Sequence, residues 1–183
     1  MVKSITPYPE IDLLLGLLRR EIQTILGTHL VGLYLHGSLA YGDFDPQTSD
    51  IDFLAVTRDA ATEADFAALQ EMHARLRSGP LDWAQKLEGA YLPKAALRRH
   101  DPAGAPIPWL GADGHFAMER LGSDWIIQRW ILREKSLSVF GPPLKELIDP
   151  VSADVLHAQI ARRSSIHTAN RRLSVVTGRQ KGG

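Results

Sequence analysis

The sequence contains no cysteine, carries no net charge and has no long apolar run. Without cysteine, the chain cannot form a disulfide scaffold, a cysteine nucleophile, an iron–sulfur cluster or a thiolate zinc site. Its 21 Lys and Arg residues balance 21 Asp and Glu residues, so no overall basic field indicates a nucleic-acid partner. The apolar run over residues 13–18 is too short to cross a membrane and has no cationic leader before it. These absences favour a cytoplasmic protein with neither a membrane nor a nucleic-acid partner.

The composition is that of an ordinary globular protein, but the charge is unevenly distributed. Hydrophobic residues make up 44% of the 183 residues, which is enough for one domain with a proper core. Residues 155–183 contain six basic residues and no acidic one, so the first part of the chain is acidic overall. We therefore expect a change of structure near residue 155, with a solvated or disordered basic tail after it.

Hydrophobic periodicity predicts alternating helices and strands in the first half of the chain. Apolar residues at steps of three and four predict a helix over residues 11–26 that Gly27 ends. Short apolar runs predict strands at residues 31–35, 51–57 and 87–92. A capping box from Thr62 to Asp65 is expected to begin a helix that Gly79 and Pro80 end. The order favours a small α/β sheet covered by helices.

The second half gives weaker signals. Residues 100–114 hold three prolines and three glycines, which favours an excursion on the surface. Ser123 is expected to cap a helix through Glu134, and Ser152 a last helix to about Arg163. The predicted buried residues of the first of these helices are Ile126, Ile127, Trp130 and Ile131.

Two aspartates on the second predicted strand form the first candidate site. Asp50 and Asp52 are two residues apart, so their carboxylates point to the same side of a strand. Placing two like charges side by side is costly unless a cation neutralises them. A pair of Mg²⁺ ions about 3.5–4 Å apart does so in two-metal phosphoryl and nucleotidyl transfer, and the oxygen ligands suit Mg²⁺.

A Gly-Ser pair at the end of the first predicted strand forms the second candidate site. Gly37 lets the backbone approach a phosphate closely, and Ser38 adds a hydroxyl donor. One segment thus offers a phosphate cradle and the next strand offers metal ligands. A nucleoside triphosphate such as ATP fits both.

The segment from His36 to Phe53, read HGSLAYGDFDPQTSDIDF, resembles the signature of the DNA polymerase β-like nucleotidyltransferase superfamily. More closely, the chain resembles the aminoglycoside adenylyltransferases that modify streptomycin and spectinomycin. Residues 87–93 are similar to the segment that carries the third carboxylate of that group, and residues 125–151 are also similar. The resemblance covers about residues 10–163. It implies a small mixed sheet flanked by helices, in the polymerase β-like fold.

The resemblance implies a role for each matching residue. Asp50 and Asp52 would hold Mg²⁺ and the triphosphate, and Gly37 and Ser38 would bind phosphate. Glu88 would be the general base that deprotonates a hydroxyl of a small-molecule acceptor. From the residues alone, Glu88 is an ordinary surface or ion-pair residue with Lys86 as its same-face neighbour.

The resemblance also implies a domain boundary. Residues 1–150 would form the nucleotidyltransferase domain, and residues 151–183 would be the truncated start of a helical C-terminal domain followed by the basic tail. That second domain closes the cleft in the family, so catalysis here could be impaired, or a second copy of the chain could supply the missing wall of a homo-oligomer.

Two other functions remain open at this point. Small polymerase β-like domains also act as antitoxin-type proteins that AMPylate or bind a cognate toxin. Those domains usually carry an arginine near the Gly-Ser turn, where this chain has residues 40–42, Ala-Tyr-Gly. An inactive nucleotide-binding remnant is the other alternative.

The tryptophans are candidates for stacking on a base or a sugar. Trp125 and Trp130 have apolar neighbours on a predicted helix, so we expect both to pack in the core. Trp109 lies among prolines in a presumed loop and is the best stacking candidate. His36 and His73 receive no role.

Overall fold

The computed structural model describes residues 4–99, 104–122, 125–158 and 161. Six strands form one mixed sheet in the order β5-β4-β3-β2-β1-β6. Strands β2 and β3 run parallel, and the other neighbouring pairs run antiparallel. The strands are β1 Leu30–Leu35, β2 Ile51–Thr57, β3 Leu87–Pro93, β4 Ile107–Leu110, β5 Phe116–Glu119 and β6 Leu137–Phe140. The predicted class, a small mixed sheet flanked by helices, is confirmed.

Helices cover both faces of the sheet. On one face, α1 and α3 bury the larger core cluster, which includes Phe53 and Tyr91. On the other face, α4, α5 and α6 pack on Leu54 and Leu92. The helices are α1 Pro9–Leu26, α2 Gly37–Tyr41, α3 Glu63–Arg77, α4 Lys94–Arg98, α5 Trp125–Lys135 and α6 Leu144–Leu147, with short 3₁₀ helices at Gly27–His29 and Asp82–Lys86.

The helix signals of the first half are confirmed. Helix α1 buries its apolar stripe and ends at Gly27, whose φ of 53° lies in the left-handed region that favours glycine. Helix α3 begins at the predicted capping box: the Asp65 N–H donates to Thr62 Oγ1 over 3.1 Å, and the Thr62 N–H donates back to Asp65 Oδ2 over 2.9 Å. These caps satisfy backbone groups that a helix end leaves without partners.

The second half departs from the sequence predictions. The predicted surface excursion over residues 100–114 contains β4, whose Ile107 and Leu110 are buried in the sheet. The predicted buried side of α5 is wrong, because Trp125, Arg129 and Leu132 are the residues it buries. Trp130 is 40% exposed, so only Trp125 of the two packs in the core as predicted.

Arg129 is buried on α5 because its guanidinium group binds two backbone carbonyl groups. Its Nε donates to the Leu97 carbonyl oxygen over 2.7 Å, and its second nitrogen donates to the Arg98 carbonyl oxygen. These carbonyls lie at the end of α4, where no helical N–H reaches them. Burial lowers the pKa of the Arg129 guanidinium, and Asp149 acts in the opposite direction.

The remaining predictions of this region concern the helix caps at Ser123 and Ser152 and the basic tail. Residues 153–158 are helical, and the Val155 N–H donates to Ser152 Oγ over 3.4 Å, so the helix that Ser152 was predicted to cap is present that far. The cap at Ser123 and the basic tail over residues 162–183 lie outside the described residues. None of the helices in the described part of the chain has both the length and the apolar content that a membrane span requires.

Candidate active site

The parallel pairing of β2 and β3 places Asp52 directly beside Glu88. In-register neighbours in a sheet point to the same face, so the two carboxylates lie side by side near the start of both strands. Asp50 precedes β2 by one residue, and its negative charge acts on both Asp52 and Glu88. The three acidic residues predicted from the sequence therefore lie in one place.

Burial and repulsion from neighbouring carboxylates raise the pKa values of two of these residues, Asp52 and Glu88. Burial raises the pKa of Asp52 to about 6, and the neighbouring charges of Glu88 and Asp50 act in the same direction. Burial also raises the pKa of Glu88, with further contributions from Asp50 and Asp113. A bound cation would reverse these shifts, because it favours the ionised carboxylates.

Gly37 lies directly against Asp52. Its φ is 63°, and a Cβ atom at this position would lie 2.0 Å from Asp52 Oδ2. The His36 N–H also donates to the Asp52 carbonyl oxygen over 3.1 Å, which ties the turn to β2. Ser38 follows on the first turn of α2 and is half-buried. The predicted phosphate turn and the predicted metal ligands thus meet at one point of the sheet.

A cavity of about 590 Å³ opens beside the carboxylates on the α5 face of the sheet. Asp52 and Glu88 lie in its wall together with Trp109 and Trp125. Trp109 pairs with Ala90 across β3 and β4, so it stands on a strand and not in the loop that its prolines indicated. Trp109 therefore reaches the cavity wall from a strand, and its stacking role stays a prediction.

Sequence reasoning missed the acidic hairpin at the rim of this cavity. Asp113 lies in the turn between β4 and β5, where its Oδ1 accepts the His115 N–H over 2.9 Å. Glu119 and Arg120 line the same cavity, and Arg120 donates to the Gly104 carbonyl oxygen over 2.7 Å. The segment Gly111-Ala-Asp-Gly114 is a turn signal between two short apolar runs, and it could have revealed the hairpin.

The donor set fits Mg²⁺. In the described residues, no group of three or more His, Asp or Glu side chains forms a ready metal cage. Mg²⁺ does not require one, because it is usually held by one or two carboxylates, waters and the phosphates of its substrate. Asp50 and Asp52 supply oxygen ligands of this kind, and the raised pKa of Asp52 indicates that a cation there would be favoured.

The contact between Gly37 and Asp52 predicts the effect of a single methyl group. We expect Gly37→Ala to displace Asp52 and to weaken Mg²⁺–ATP binding strongly, in addition to a backbone cost of about 1–2 kcal/mol for the left-handed conformation. Gly42→Ala is the matched control, because Gly42 also has a positive φ, 83°, but open space around its Cβ position. Calorimetric titration that shows equal ATP binding by both variants would contradict the contact's importance.

The raised pKa of Asp52 predicts a pH-dependent stability. The folded chain keeps a proton on Asp52 up to pH about 6, whereas the unfolded chain loses it near pH 4, the ordinary pKa of an aspartate. This stabilising contribution is therefore complete below about pH 4 and is lost as the pH rises through about 6. In EDTA, we expect Asp52→Asn to melt above the parent chain at pH about 8 and level with it at pH about 4. A melting difference independent of pH would contradict the burial argument.

Comparison with known proteins gives one match to a family of domains. Residues 15–98 match the family model of the nucleotidyltransferase domain, a range that includes all five predicted site residues. This match supports a nucleotidyltransferase domain over these residues, and the six-stranded mixed sheet is consistent with the polymerase β-like fold. No curated protein is significantly similar to the chain in sequence.

Among solved structures, the chain is similar to spectinomycin adenyltransferase AAD(9) from Enterococcus faecialis, crystallised with ATP and spectinomycin. The TM-score is 0.62 at 18% identity, and the match covers 85% of this chain and 65% of that one. At this identity the likeness shows a shared fold, over less than two thirds of that relative's length. A toxin–antitoxin structure with AMP-PNP also matches, at 13% identity over 94% of this chain and 99% of that one, but its TM-score of 0.38 is too low to support an argument.

Proposed function

We propose that the protein is a Mg²⁺-dependent nucleotidyltransferase that moves AMP from ATP to a hydroxyl group of an aminoglycoside-like acceptor. The observation that carries the proposal is the in-register pair Asp52 and Glu88 beside Gly37, at the wall of a cavity of about 590 Å³. Asp52 and Glu88 line this ligand-sized space together with His36, and Gly37 lies directly against Asp52, which supports a two-substrate transfer there.

Each residue has a defined part in this proposal. Asp50 and Asp52 would hold Mg²⁺, which would offset the charge of the triphosphate. Gly37 and Ser38 would bind the phosphates, and the missing Cβ of Gly37 leaves room for Asp52, which keeps the phosphate turn close to the metal ligand. Glu88 takes the proton of the acceptor hydroxyl while the hydroxyl oxygen forms a bond to the α-phosphorus of ATP. The bond from that phosphorus to the oxygen that bridges to the β-phosphate breaks at the same time, and pyrophosphate leaves.

The raised pKa of Glu88 supports its role as base. A carboxylate with an ordinary pKa is a weak base at neutral pH, and a higher pKa brings it closer to the operating pH. Burial and the neighbouring Asp50 and Asp113 raise the pKa of Glu88 in this direction. Its place beside Asp52 supports a role on a hydroxyl that would be bound next to the α-phosphate.

The cavity walls support a cationic, polyhydroxylated acceptor. Asp113 and Glu119 contribute negative charge at the rim, and Arg120, the arginine among the cavity-lining residues, donates to a backbone carbonyl. Trp109 offers an aromatic surface of the kind that stacks on sugar rings and attracts ammonium groups. An amino sugar combines these features, and ATP with spectinomycin is what the similar AAD(9) structure contains.

The packing of α6 supports the proposed boundary near residue 150. Leu147 and Ile148 are buried in the core, and Asp149 pairs with Arg98 at 2.9 Å and with Arg99 at 2.8 Å. The helix that Ser152 begins follows directly, with exposed residues. We therefore propose residues 1–150 as the nucleotidyltransferase domain, with residues 151–183 outside it.

The proposal is tested by incubating the purified chain with ATP, Mg²⁺ and a panel of acceptors that includes streptomycin, spectinomycin and an uncharged sugar alcohol. We expect a mass gain of one AMP unit on a cationic acceptor, abolished by EDTA. A mass gain on the protein itself, or on no molecule at all, would contradict the acceptor class. Absence of any Mg²⁺-dependent stabilisation by ATP in thermal unfolding would contradict the nucleotide site as well.

A further inference from the structure

The loop over residues 43–49, here called the site loop, connects the phosphate turn with the metal-binding strand. It begins after α2 and leads directly into Asp50. Its interior is ordered by Asp45, whose Oδ1 accepts the Gln47 N–H over 2.9 Å and whose Oδ2 accepts the Thr48 hydroxyl over 3.0 Å. The Asp45 N–H donates to Ser49 Oγ over 3.0 Å. The loop is thus a compact unit that can be moved or fixed as a whole.

Lys86 fixes this unit from outside. Its Nζ donates to the Pro46 carbonyl oxygen over 2.9 Å and to the Gln47 carbonyl oxygen over 3.1 Å. These two bonds join residues that are 40 and 39 positions apart in the chain. The sequence expectation that Lys86 would face Glu88 is therefore not what the structure shows: the ammonium group binds the site loop.

The place of Lys86 in the fold makes this cross-link relevant to the site. Lys86 ends the 3₁₀ helix Asp82–Lys86, and Glu88 follows two residues later on β3. The same ammonium group lies 5.3 Å from the centroid of the Trp83 ring. Trp83 in turn packs on Phe44 at the start of the site loop, with ring centroids 5.8 Å apart. The segment that leads into Glu88 thus contacts the site loop twice, through Lys86 and through Trp83.

The consequence concerns Asp50. Asp50 precedes β2 and is therefore not held by the β2–β3 pairing that places Asp52 beside Glu88. On its N-terminal side, Asp50 is held by the site loop, which directly precedes it. A metal site tolerates only small displacements of its ligands, because the ligand oxygens must converge on one ion. A bond from the Glu88 side to the site loop fixes Asp50 relative to the other carboxylates.

We propose that Lys86 is a positioning residue that holds the site loop, and thereby Asp50, in register with Glu88 for metal-dependent nucleotide binding. This inference rests on the proposed function for its metal and nucleotide. Lys86 is not among the residues that line the cavity, and it acts through the Pro46 and Gln47 carbonyl groups. Charge-assisted bonds of this kind are stronger than neutral ones, and a side chain without donors cannot replace them.

Three variants separate positioning from general stability. Lys86→Met keeps the length of the side chain and removes its donors, whereas Lys86→Arg retains donors for two carbonyl oxygens. Lys94→Met is the matched control, because Lys94 is an exposed lysine at the start of α4. Two quantities are measured for each: hydrogen exchange of the amides in the site loop and in β2, and the Mg²⁺ concentration that gives half-maximal ATP binding.

We expect Lys86→Met to accelerate exchange of the Gln47 and Ser49 amides by about tenfold or more, with β2 amides unchanged. We also expect its half-saturating Mg²⁺ concentration to rise by about tenfold, with recovery in Lys86→Arg and no change in Lys94→Met. Unchanged loop exchange in Lys86→Met would overturn the cross-link. Faster loop exchange with unchanged Mg²⁺ dependence would overturn the positioning role.

The two measurements also distinguish this inference from the proposed function. If the unaltered chain binds no ATP with Mg²⁺, the proposed function fails, and the metal-positioning role of Lys86 fails with it. Loop exchange requires neither metal nor nucleotide, so it decides independently whether Lys86 holds the site loop.

Discussion

Asp52→Asn is expected to reduce Mg²⁺-dependent AMP transfer by about 10²–10³-fold or more, the scale seen when a group that stabilises transition-state charge is removed. The substitution keeps the shape of the side chain but removes the charge that would hold the cation. Mg²⁺-dependent ATP binding should fall together with transfer, because both depend on the same carboxylate. Calorimetric titration of ATP and a pyrophosphate-release assay measure the two effects.

The fold of this variant should be intact. Asp52 is a like-charged neighbour of Glu88 and Asp50, so its neutralisation removes repulsion at neutral pH in the metal-free chain. Asp59→Asn is the matched control, because Asp59 is an exposed aspartate just after β2. Full transfer by a correctly folded Asp52→Asn variant would exclude Asp52 as a metal ligand.

Glu88→Gln is expected to separate chemistry from binding. The general base contributes about 10²–10⁴-fold to a proton-transfer step, so transfer should fall by this factor while Mg²⁺–ATP binding changes little. The pH profile should change as well, because the rise of activity with pH that reports ionisation of Glu88 would be absent. The measurement is the transfer rate against pH at saturating ATP.

Glu71→Gln, on an exposed position of α3, is the control for this substitution. Loss of ATP binding equal to the loss of transfer would place Glu88 among the metal ligands instead. Unchanged transfer would remove it from the mechanism.

The part of the fold that the sequence predicts is the part with strong, local signals. The apolar stripe of α1, the capping box of α3 and the apolar runs of β1, β2 and β3 each reflect burial that repeats with the period of the element. These elements also carry all five predicted site residues or flank them. The meeting of Asp52 with Glu88 could not be read from periodicity, because it depends on which strands pair and in which register.

The elements that the sequence analysis missed are short and lie at the sheet edges. Strands β4, β5 and β6 have four residues each, too few to establish an alternation. Pro108 within β4 is a signal against a central strand, and β4 accommodates it near the edge of the sheet.

The acidic hairpin and the bonds of Lys86 could not be predicted because both depend on contacts between distant parts of the chain. Asp113 lies in a turn that contacts the site only after β4 pairs with β3, and Lys86 binds carbonyl groups about 40 residues away. Helix α5 was assigned the wrong buried face because Arg129 is buried by bonds to the end of α4, a tertiary effect that hydrophobic periodicity does not contain.

The central claim is that Asp50, Asp52 and Glu88 together transfer a nucleotidyl group, and isotope labelling of ATP tests it most directly. The chain is incubated with Mg²⁺, streptomycin or spectinomycin, and ATP labelled at either the α- or the γ-phosphate. The account predicts that the α-label appears in the acceptor and that the γ-label leaves in pyrophosphate. It also predicts that Asp52→Asn and Glu88→Gln each lower the rate of α-label transfer by at least about 10²-fold. Transfer of the γ-label to the acceptor, or α-label transfer at an unchanged rate in both variants, would contradict it.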